Sequence, residues 1–387
     1  MKRPLLNRRL DGLGTTIFAE MSARALATGS VNLGQGFPDV DGPKAIAQAA
    51  ADAVLAGRGN QYPPGPGIPG LRRAIADHQK RFYNLSYDPD TEVFVTAGAT
   101  EAIAAALLAL LEPGDEVIAF EPYYDSYVAN IAIAGATRVP LTLKAPDFRP
   151  DLVALEARIT PRTRLILLNT PHNPTGTVLT RDELRKIAEI AVRHDLLVVT
   201  DEVYEHLTYG REHIPIVTFP GMRERTVTIS SAGKTFSFTG WKVGWATGTP
   251  ELIDAVKTTK QFLTFVASGP FQYAVAEALL LPDSYYGDLA ADLRAKRDLL
   301  SNGLRDIGFE VYQPDGTYFV TTDIAPLGES DAVGFCLGLP ERAGVVAIPT
   351  AIFYDDKAEG RTIVRFAFCK RPEILEEALN RLAVLKA

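Results

Sequence analysis

The larger, N-terminal part of the chain alternates short apolar runs with segments whose apolar residues recur at helical spacing. Glu92–Gly98 predicts a buried strand, and Ala99–Leu111, rich in Ala and Leu, predicts the helix that follows it. Thr180–Asp195 predicts another helix, because Thr180 and Glu183 have the spacing of a capping box. Such alternation predicts an α/β fold, in which a mostly parallel sheet is covered by helices on both faces.

The pattern changes after about residue 285. A long polar helix is predicted from about Tyr286 to Ile307, followed by the short apolar stretches FEVYQP, TYFVTTDI, VVAIP and TIVRFAF. Helices at about Asp331–Arg342 and Pro372–Ala387 complete a smaller α+β unit with a mainly antiparallel sheet. We therefore predict two domains: a large domain of residues 41–285, and a small domain formed by residues 1–40 and 286–387.

Composition narrows the class of protein. The chain has 387 residues, 47% of them hydrophobic and 22% charged, which is typical of a globular protein with one large or two smaller cores. A net charge of -7 argues against nucleic acid or an anionic membrane as the main partner. Cys336 and Cys369 form no CxxC pair, the basic N-terminus lacks a signal-peptide core, and no apolar run approaches the ~20 residues of a membrane span. The sequence predicts a cytoplasmic protein.

Small or polar residues follow several predicted strands. Gly98 lies between a strand and a helix that begins near Ala99 and Thr100, so backbone N–H groups at the helix start could bind a phosphate. A tight strand–helix turn would explain the same residues without any ligand.

Asp201 follows the four apolar residues and the threonine of the run LLVVTDEVY, and a carboxylate at the end of a central strand is costly without a partner. Tyr204 could reach the same place. Asn173, in the loop NTPHNPTG, could present its amide to a ligand. A helix cap or ion pair at Asp201, and ordinary turn chemistry at Asn173, are the simpler alternatives.

Lys234 in SSAGKTFSFTGWKVGW also follows a strand, and it stands among small, hydroxyl and aromatic residues. The carboxyl ends of parallel strands meet at one edge of a sheet, so these groups could share one crevice. A buried lysine has a lowered pKa and can attack carbonyl groups. A phosphate site, a lysine that forms an imine and a carboxylate for a ring nitrogen together indicate pyridoxal 5'-phosphate (PLP).

Three other kinds of site fit poorly. Gly65–Gly70 (GPGIPG) matches GxGxxG, but no strand precedes it and its two internal prolines lack N–H groups. The five histidines show no HExxH spacing, so no metal site is expected. No GxSxG sequence is present.

The motifs SSAGKTFSFTGWKVGW, NTPHNPTG, TDEVY and RFAF are spread over nearly the whole chain, which therefore resembles the class I/II aminotransferases of PLP fold type I. VNLGQGFPD, NQYPPGPG and EPYYDSY resemble, within that family, the branch of kynurenine/glutamine aminotransferases and actinobacterial N-succinyldiaminopimelate aminotransferases. The resemblance implies a large PLP-binding domain and a smaller α+β domain.

The resemblance also implies roles for single residues. Lys234 would carry the cofactor as an imine, Asp201 would keep the ring nitrogen protonated, and Asn173 with Tyr204 would hydrogen-bond the ring 3'-oxygen. The catalytic residues would be Lys234, Asp201 and Tyr204. The other implied contacts are the phosphate ligands Ala99, Thr100, Ser231 and Lys242, the stacking ring of Tyr124, the substrate-binding residues Gly36, Asn173, Arg365 and Phe18, and Tyr62, which would reach the cofactor of a partner subunit in a homodimer.

Two of these contacts have particular features. Many relatives carry Arg where Lys242 stands, and Lys keeps the charge but loses the planar fork. Arg365 would bind the substrate α-carboxylate as a bidentate pair. Without the motif RFAF, Arg365 would be interpreted as an exposed residue of a strand.

The function implied is a ping-pong transfer of an amino group from an L-amino acid to a 2-oxo acid such as 2-oxoglutarate. The donor stays open between an aromatic or large neutral amino acid of the kynurenine, glutamine or methionine type and N-succinyl-L,L-diaminopimelate. An aromatic side-chain pocket could be formed by Phe18, Phe37, Tyr62, Tyr123 and Phe265, although aromatic residues are more often part of the core. The alternatives are a PLP-dependent C–S β-lyase acting on cysteine conjugates and, more remotely, a non-enzymatic PLP-binding regulator.

Overall fold

The computed structural model describes residues 5–14 and 16–386. Residues 1–4 and 387, which belong to the predicted small domain and its last helix, lie outside the described residues. The α-helices are α1 (Ile17–Thr28), α2 (Lys44–Leu55), α3 (Pro69–Tyr83), α4 (Gly98–Leu110), α5 (Asp125–Ala134), α6 (Leu152–Ala157), α7 (Arg181–Arg193), α8 (Ala232–Thr235), α9 (Pro250–Lys260), α10 (Gly269–Ala278), α11 (Asp283–Ile307), α12 (Ala332–Ala343) and α13 (Pro372–Leu382). Within the described ranges, no helix is both long enough and apolar enough to span a membrane.

The strands form one large sheet and two smaller ones. They are β1 (Val31–Asn32), β2 (Val93–Thr96), β3 (Glu116–Glu121), β4 (Thr137–Thr142), β5 (Thr163–Asn169), β6 (Leu197–Asp201), β7 (Thr226–Ser231), β8 (Gly244–Thr247), β9 (Glu310–Tyr312), β10 (Phe319–Asp323), β11 (Val345–Val346), β12 (Ile348–Pro349) and β13 (Ile363–Ala367).

The large sheet has seven strands in the order β2-β8-β7-β6-β5-β3-β4. The pairs from β7 to β4 are parallel, and β8 runs antiparallel to both β7 and β2. The prediction of a mostly parallel α/β sheet is therefore confirmed. Because β5, β6 and β7 are parallel neighbours, Asn169, Asp201 and Ser231 all lie at the same edge of the sheet.

Local signals in the sequence set several element boundaries. The capping box of α7 is present: the Thr180 hydroxyl accepts a hydrogen bond from the Glu183 N–H, and the Glu183 carboxylate accepts one from the Thr180 N–H. The helix predicted from Ala99 begins one residue earlier at Gly98, whose φ of +76° a glycine adopts without strain. Helix α11 begins at Asp283 rather than near Tyr286, and α13 ends at Leu382.

The C-terminal part of the chain forms the predicted antiparallel sheet, in the order β12-β13-β10-β9. Strand β1 pairs with β11 in parallel, so the N-terminal segment joins the C-terminal elements. One hydrophobic core cluster contains residues of α1, β10, α12, β13 and α13. This packing supports our proposal that residues 1–40 and 286–387 form one small domain beside the large domain of residues 41–285.

Candidate active site

A cavity of about 320 Å³ lies at the carboxyl edge of the large sheet, where α4 begins and where β10 and β13 of the smaller sheet approach it. The predicted strand exits meet there. Twelve of the thirteen site residues predicted from the sequence line the cavity: Phe18, Gly36, Ala99, Thr100, Tyr124, Asn173, Asp201, Tyr204, Ser231, Lys234, Lys242 and Arg365. Tyr62 does not line it.

Lys234 lies in the short helix α8, directly after β7, and is partly exposed to the cavity. Burial lowers the pKa of its ammonium group to about 8, and the positive charges of Lys242 and Arg365 act in the same direction. Its Nζ atom lies 5.8 Å from the centre of the Tyr204 ring and 5.5 Å from that of Tyr318. A substantial share of Lys234 is therefore neutral near pH 8, and a neutral amine is the form that attacks a carbonyl group.

Asp201 ends β6, and its side chain is buried at the bottom of the cavity. The Tyr127 hydroxyl donates to Oδ2 at 2.7 Å, and the Val203 N–H donates to Oδ1 at 3.3 Å. Burial raises the pKa of the carboxyl group above its usual value, and these hydrogen bonds and the charge of Lys234 offset the rise only in part. Each carboxylate oxygen thus has one protein donor and keeps acceptor capacity for a further group.

The loop after β5 is held by Asn169, which sequence reasoning did not single out as a side-chain contact. Its Oδ1 accepts from the Asn173 N–H at 2.8 Å, and its Nδ2 donates to the Asp201 carbonyl at 2.9 Å. Asn173 in turn accepts a hydrogen bond from Arg365 through its Oδ1 at 3.0 Å. The loop therefore links the end of β6 to the arginine on β13.

Tyr204 is buried beside Lys234, and its ring packs edge-to-face on Tyr318, with centroids 5.3 Å apart at 89°. Burial raises the pKa of the Tyr204 phenol, which therefore stays protonated as a hydrogen-bond donor. Tyr318 donates its hydroxyl proton to the carbonyl oxygen of Gly36. A Cβ atom on Gly36 would lie 2.4 Å from Cζ of Phe319, so this close approach requires glycine.

Another part of the cavity has groups suited to an anion. The N-terminus of α4 begins there at Gly98, and Gly244 packs so closely that an added Cβ would lie 2.5 Å from the Gly98 carbonyl carbon. Lys242, with a φ of +52°, brings its Nζ to 3.1 Å from the position that a Cβ of Gly98 would take. The helix start, the Lys242 ammonium and the nearby Ser231 provide N–H groups, positive charge and a hydroxyl, as a phosphate requires.

Arg365 on β13 is only 1% exposed, so the alternative of an exposed strand residue is wrong. Its two Nη groups donate to Asn173 Oδ1 at 3.0 Å and to the Gly34 carbonyl at 2.9 Å, while its buried Nε has no partner among the described residues. The guanidinium carbon lies 4.0 Å from the centre of the Phe319 ring. Burial lowers the pKa of Arg365 to about 10. A buried cation with unused donors is suited to a carboxylate ligand.

The five aromatic residues considered for a side-chain pocket do not form one wall in this chain. Phe18 lines the main cavity, and Tyr123 is buried next to it with its hydroxyl donating to Asp355. Phe37 is 46% exposed beside Lys370. Tyr62 and Phe265 pack edge-to-face on the surface, with Tyr62 82% exposed.

Sequence reasoning missed Tyr127, which lines the cavity and holds Asp201. The only signal in the sequence was that Tyr127 belongs to the motif EPYYDSY, in which a role was predicted for Tyr124 alone. Phe319 was also missed, because a strand aromatic next to a buried arginine is recognisable only from the pairing of β10 with β13.

His78, Glu205 and His206 bring metal-ligating atoms within 4.8 Å of one another, although the sequence predicted no metal site. The two imidazole Nε2 atoms lie 2.7 Å apart, and the Glu205 carboxylate accepts from the Ser230 hydroxyl at 2.6 Å. The two imidazole rings are therefore in contact with each other, and Glu205 is held by Ser230.

The cavity combines a lysine of lowered pKa, a buried carboxylate, an anion-binding helix start and an unpaired arginine. These residues fit PLP: the lysine for its aldehyde, the carboxylate for its ring nitrogen, and the helix start with Lys242 for its phosphate. The fold and the site thus define a PLP-dependent enzyme of fold type I that acts on amino acids.

Comparison with known proteins identifies the family. Residues 28–382 match the family described as "Aminotransferase class I and II", and the chain belongs to it. It is 54% identical to a probable N-succinyldiaminopimelate aminotransferase of Mycobacterium tuberculosis, over 97% of this chain and 98% of that protein. A solved structure of N-succinyldiaminopimelate aminotransferase from that organism matches with a TM-score of 0.96, covering 98% of this chain and all (100%) of the other.

Two further relatives are named after other substrates. The methionine aminotransferase of Escherichia coli is 40% identical over 97% of each chain. The kynurenine–oxoglutarate transaminase 3 of Mus musculus is 37% identical, over 96% of this chain and 88% of that protein. The predicted family, fold type and cofactor are confirmed, and the protein is a PLP-dependent aminotransferase.

Proposed function

We propose that the protein transfers the amino group of N-succinyl-L,L-diaminopimelate to 2-oxoglutarate. The observation that carries the choice of donor is the similarity, over almost the full length of both chains, to the mycobacterial N-succinyldiaminopimelate aminotransferase. The methionine and kynurenine relatives are less similar. Only one of the five candidate aromatic residues, Phe18, faces the main cavity, which gives little support to a pocket built for aromatic side chains.

Lys234 is assigned as the residue that carries the cofactor and moves the proton. Its lowered pKa and its place in the same cavity as Asp201 support this role. PLP, when bound, supplies an electron-withdrawing ring that stabilises negative charge at the substrate α-carbon. When its Nζ atom is free, Lys234 would take the substrate α-proton as a general base and later return a proton as a general acid.

Asp201, Asn173 and Tyr204 are assigned to the cofactor ring. The Asp201 carboxylate would accept a hydrogen bond from the protonated ring nitrogen, while the Asn173 amide and the Tyr204 phenol would donate to the 3'-oxygen. Tyr204 remains a donor because burial raises the pKa of its phenol. Tyr124, which lines the same cavity, is assigned to stack on the ring.

The phosphate is assigned to the backbone of Ala99 and Thr100 and to the side chains of Ser231 and Lys242. All four line the cavity at the start of α4. A lysine in place of the more common arginine still brings its ammonium group to Gly98. The charge is retained at this position although the planar fork is not.

Arg365 is assigned to bind the α-carboxylate of both amino acid and oxo acid. Its unpartnered Nε and its full burial support this role, and Asn173 holds one of its Nη groups in place. Gly36 and Phe18 line the same cavity, and we assign them to limit the space beside the carboxylate and to exclude water from it.

Direct turnover assays test the choice of donor. With 2-oxoglutarate as acceptor, N-succinyl-L,L-diaminopimelate should give a higher kcat/KM than methionine, kynurenine or unsuccinylated L,L-diaminopimelate. Higher kcat/KM for methionine or kynurenine would assign the protein to those substrates instead. Release of pyruvate from a cysteine S-conjugate, at a rate above that of transamination, would favour the β-lyase alternative. Lys234→Ala protein serves as the blank.

We also propose a homodimer in which Tyr62 contacts the cofactor of the partner subunit. Tyr62 is one of several exposed apolar side chains, with Phe262 (82% exposed), Leu263 (46%) and Phe265 (53%), and it does not line the cavity of its own chain. Mixing Tyr62→Ala and Lys234→Ala protein should restore part of the activity, because a hybrid dimer contains one site with both native residues. A monomer by sedimentation, or no recovery after subunit exchange, would exclude this arrangement.

The cytoplasmic location remains a prediction. Cys336 and Cys369 are both free and buried, as expected for a protein of a reducing compartment.

A further inference from the structure

Tyr127 holds a central position in the site although it carries none of the roles assigned above. It lies in the first turn of α5 and is 3% exposed, with its ring at the wall of the cavity. Its hydroxyl donates to Asp201 Oδ2 at 2.7 Å, across 74 residues of sequence. No other side-chain hydroxyl or amide among the described residues donates to the Asp201 carboxylate; the remaining donor is the Val203 N–H.

The contact matters because the Asp201 carboxylate is buried and has no ion-pair partner among the described residues. A buried carboxylate is costly unless hydrogen bonds or a cation compensate it. The Val203 N–H, at 3.3 Å, is the longer of the two hydrogen bonds. Tyr127 therefore provides the shorter one, and a hydrogen bond to an ionised acceptor is stronger than one between neutral groups.

Tyr127 has a second contact with the cofactor-binding wall. Its ring packs edge-to-face on Tyr124, with centroids 5.7 Å apart and an interplanar angle of 86°. Tyr124 is the residue assigned to stack on the cofactor. One buried side chain thus contacts both the acid assigned to the ring nitrogen and the aromatic ring assigned to the ring plane.

We propose that Tyr127 is a positioning residue for the cofactor, which orients the Asp201 carboxylate and keeps it ionised opposite the ring nitrogen. This inference rests on the proposed assignment of Asp201 to that nitrogen. Tyr127 does not exchange a proton itself, because burial and the neighbouring Asp201 raise the pKa of its phenol well above the usual range.

Tyr127→Phe removes the hydroxyl and keeps the ring that packs on Tyr124. We expect the full-length chain, stripped of cofactor, to bind PLP about tenfold more weakly, the loss typical of one hydrogen bond to a charged group. The ¹⁵N chemical shift of ring-labelled PLP bound to the variant should move toward the value of the unprotonated nitrogen. A role in packing alone would not move that shift.

A double-mutant cycle shows whether Tyr127 acts through Asp201. In the Asp201→Asn background, Tyr127→Phe should weaken PLP binding by no more than about twofold, since the ionised acceptor is gone. The matched control is Tyr209→Phe, which removes a buried hydroxyl that donates to the Thr317 carbonyl outside the cavity. It should lower the melting temperature and leave PLP affinity unchanged.

Three outcomes would overturn the inference. The first is a Tyr127→Phe protein with wild-type PLP affinity and an unchanged ¹⁵N shift. The second is a loss of PLP affinity on Tyr127→Phe that is equally large in the wild type and in the Asp201→Asn variant. The third is a loss of PLP affinity in Tyr209→Phe equal to that in Tyr127→Phe. The failure of the assignment of Asp201 is separately visible, because Asp201→Asn alone would then leave both PLP affinity and the ¹⁵N shift unchanged.

Discussion

Replacement of Arg365 by lysine tests the recognition of the substrate carboxylate, because it keeps a positive charge and removes the planar fork. The guanidinium group has five N–H donors, of which one binds Asn173 and one binds the Gly34 carbonyl. Three remain for a ligand, enough for a bidentate pair. A lysine ammonium has three donors in all, so after satisfying the same two acceptors it retains one.

The variant therefore loses about one charge-assisted hydrogen bond to each substrate. Such a bond contributes ~2 kcal/mol, so the KM of the amino donor and of the oxo acid should each rise roughly 30-fold. The PLP dissociation constant should stay near that of the wild type, because Arg365 is assigned to the substrate rather than to the cofactor.

A pH dependence adds a second test of the same variant. Burial at this position lowers the pKa of the native guanidinium to about 10. The same surroundings should lower the pKa of a lysine below its unperturbed value of ~10.4. The charge of the introduced ammonium group would then be lost at a lower pH than the charge of an exposed lysine. The KM of Arg365→Lys should therefore rise with pH already below pH ~10.4, beyond any change that the wild type shows over the same range.

Steady-state kinetics at saturating PLP, with donor and acceptor varied in turn, measure these effects. The matched control is Arg371→Lys, an exposed arginine just beyond the same strand that does not line the cavity. Unaltered KM values for both substrates in Arg365→Lys would remove the carboxylate-binding role. An equal rise in the control would show that the effect is not specific to the cavity.

Four further predictions concern other parts of the site. Lys234→Ala should fold normally and lose multiple turnover, and borohydride should attach PLP to Lys234 in the wild type; attachment to another lysine would disprove the assignment. In the wild type stripped of cofactor, the rate of PLP attachment should rise with pH until about pH 8 and then level off, because the neutral amine is the reactive form. Asp201→Asn should bind PLP and lose roughly a thousandfold in single-turnover rate, equal to several kcal/mol; a rate within about tenfold of the wild type would leave Asp201 structural. Gly36→Ala should lower thermal stability and raise the KM of both substrates, since the added Cβ would lie 2.4 Å from the Phe319 ring; wild-type stability and KM would contradict the close packing.

Much of the site was predictable because its residues follow strands. Strands are predicted directly before Asp201 and before Lys234, so both side chains are expected at the ends of parallel strands. The alternation of strands and helices indicates that these ends lie at one edge of the sheet. The capping box at Thr180 likewise depends on residues three positions apart, so the helix start could be found locally. Signals of this kind need only a short stretch of sequence and the geometry of parallel strands.

Other parts depend on contacts between distant segments and could not be found in this way. Arg365 is an ordinary strand residue in its local sequence, and only the pairing of β13 with β10 and the approach of Gly34 make it a buried, partly unpaired cation. Tyr127 is one of several tyrosines in EPYYDSY, and only the register of α5 against β6 shows which of them meets Asp201. The family resemblance identified Arg365, because the motif carries this long-range information, but it did not identify Tyr127.

The charges of the cavity favour anionic ligands. Three cationic side chains, Lys234, Lys242 and Arg365, share the cavity with a single carboxylate, that of Asp201. Within the described residues none of the three cations forms an ion pair, although the chain as a whole carries a net charge of -7. Of the three, Arg365 is buried, and an unpaired buried charge destabilises a protein until a ligand compensates it. The surplus of positive charge suits the phosphate and the α-carboxylate that we propose are bound there, and it leaves the Asp201 carboxylate for the proposed contact with the ring nitrogen.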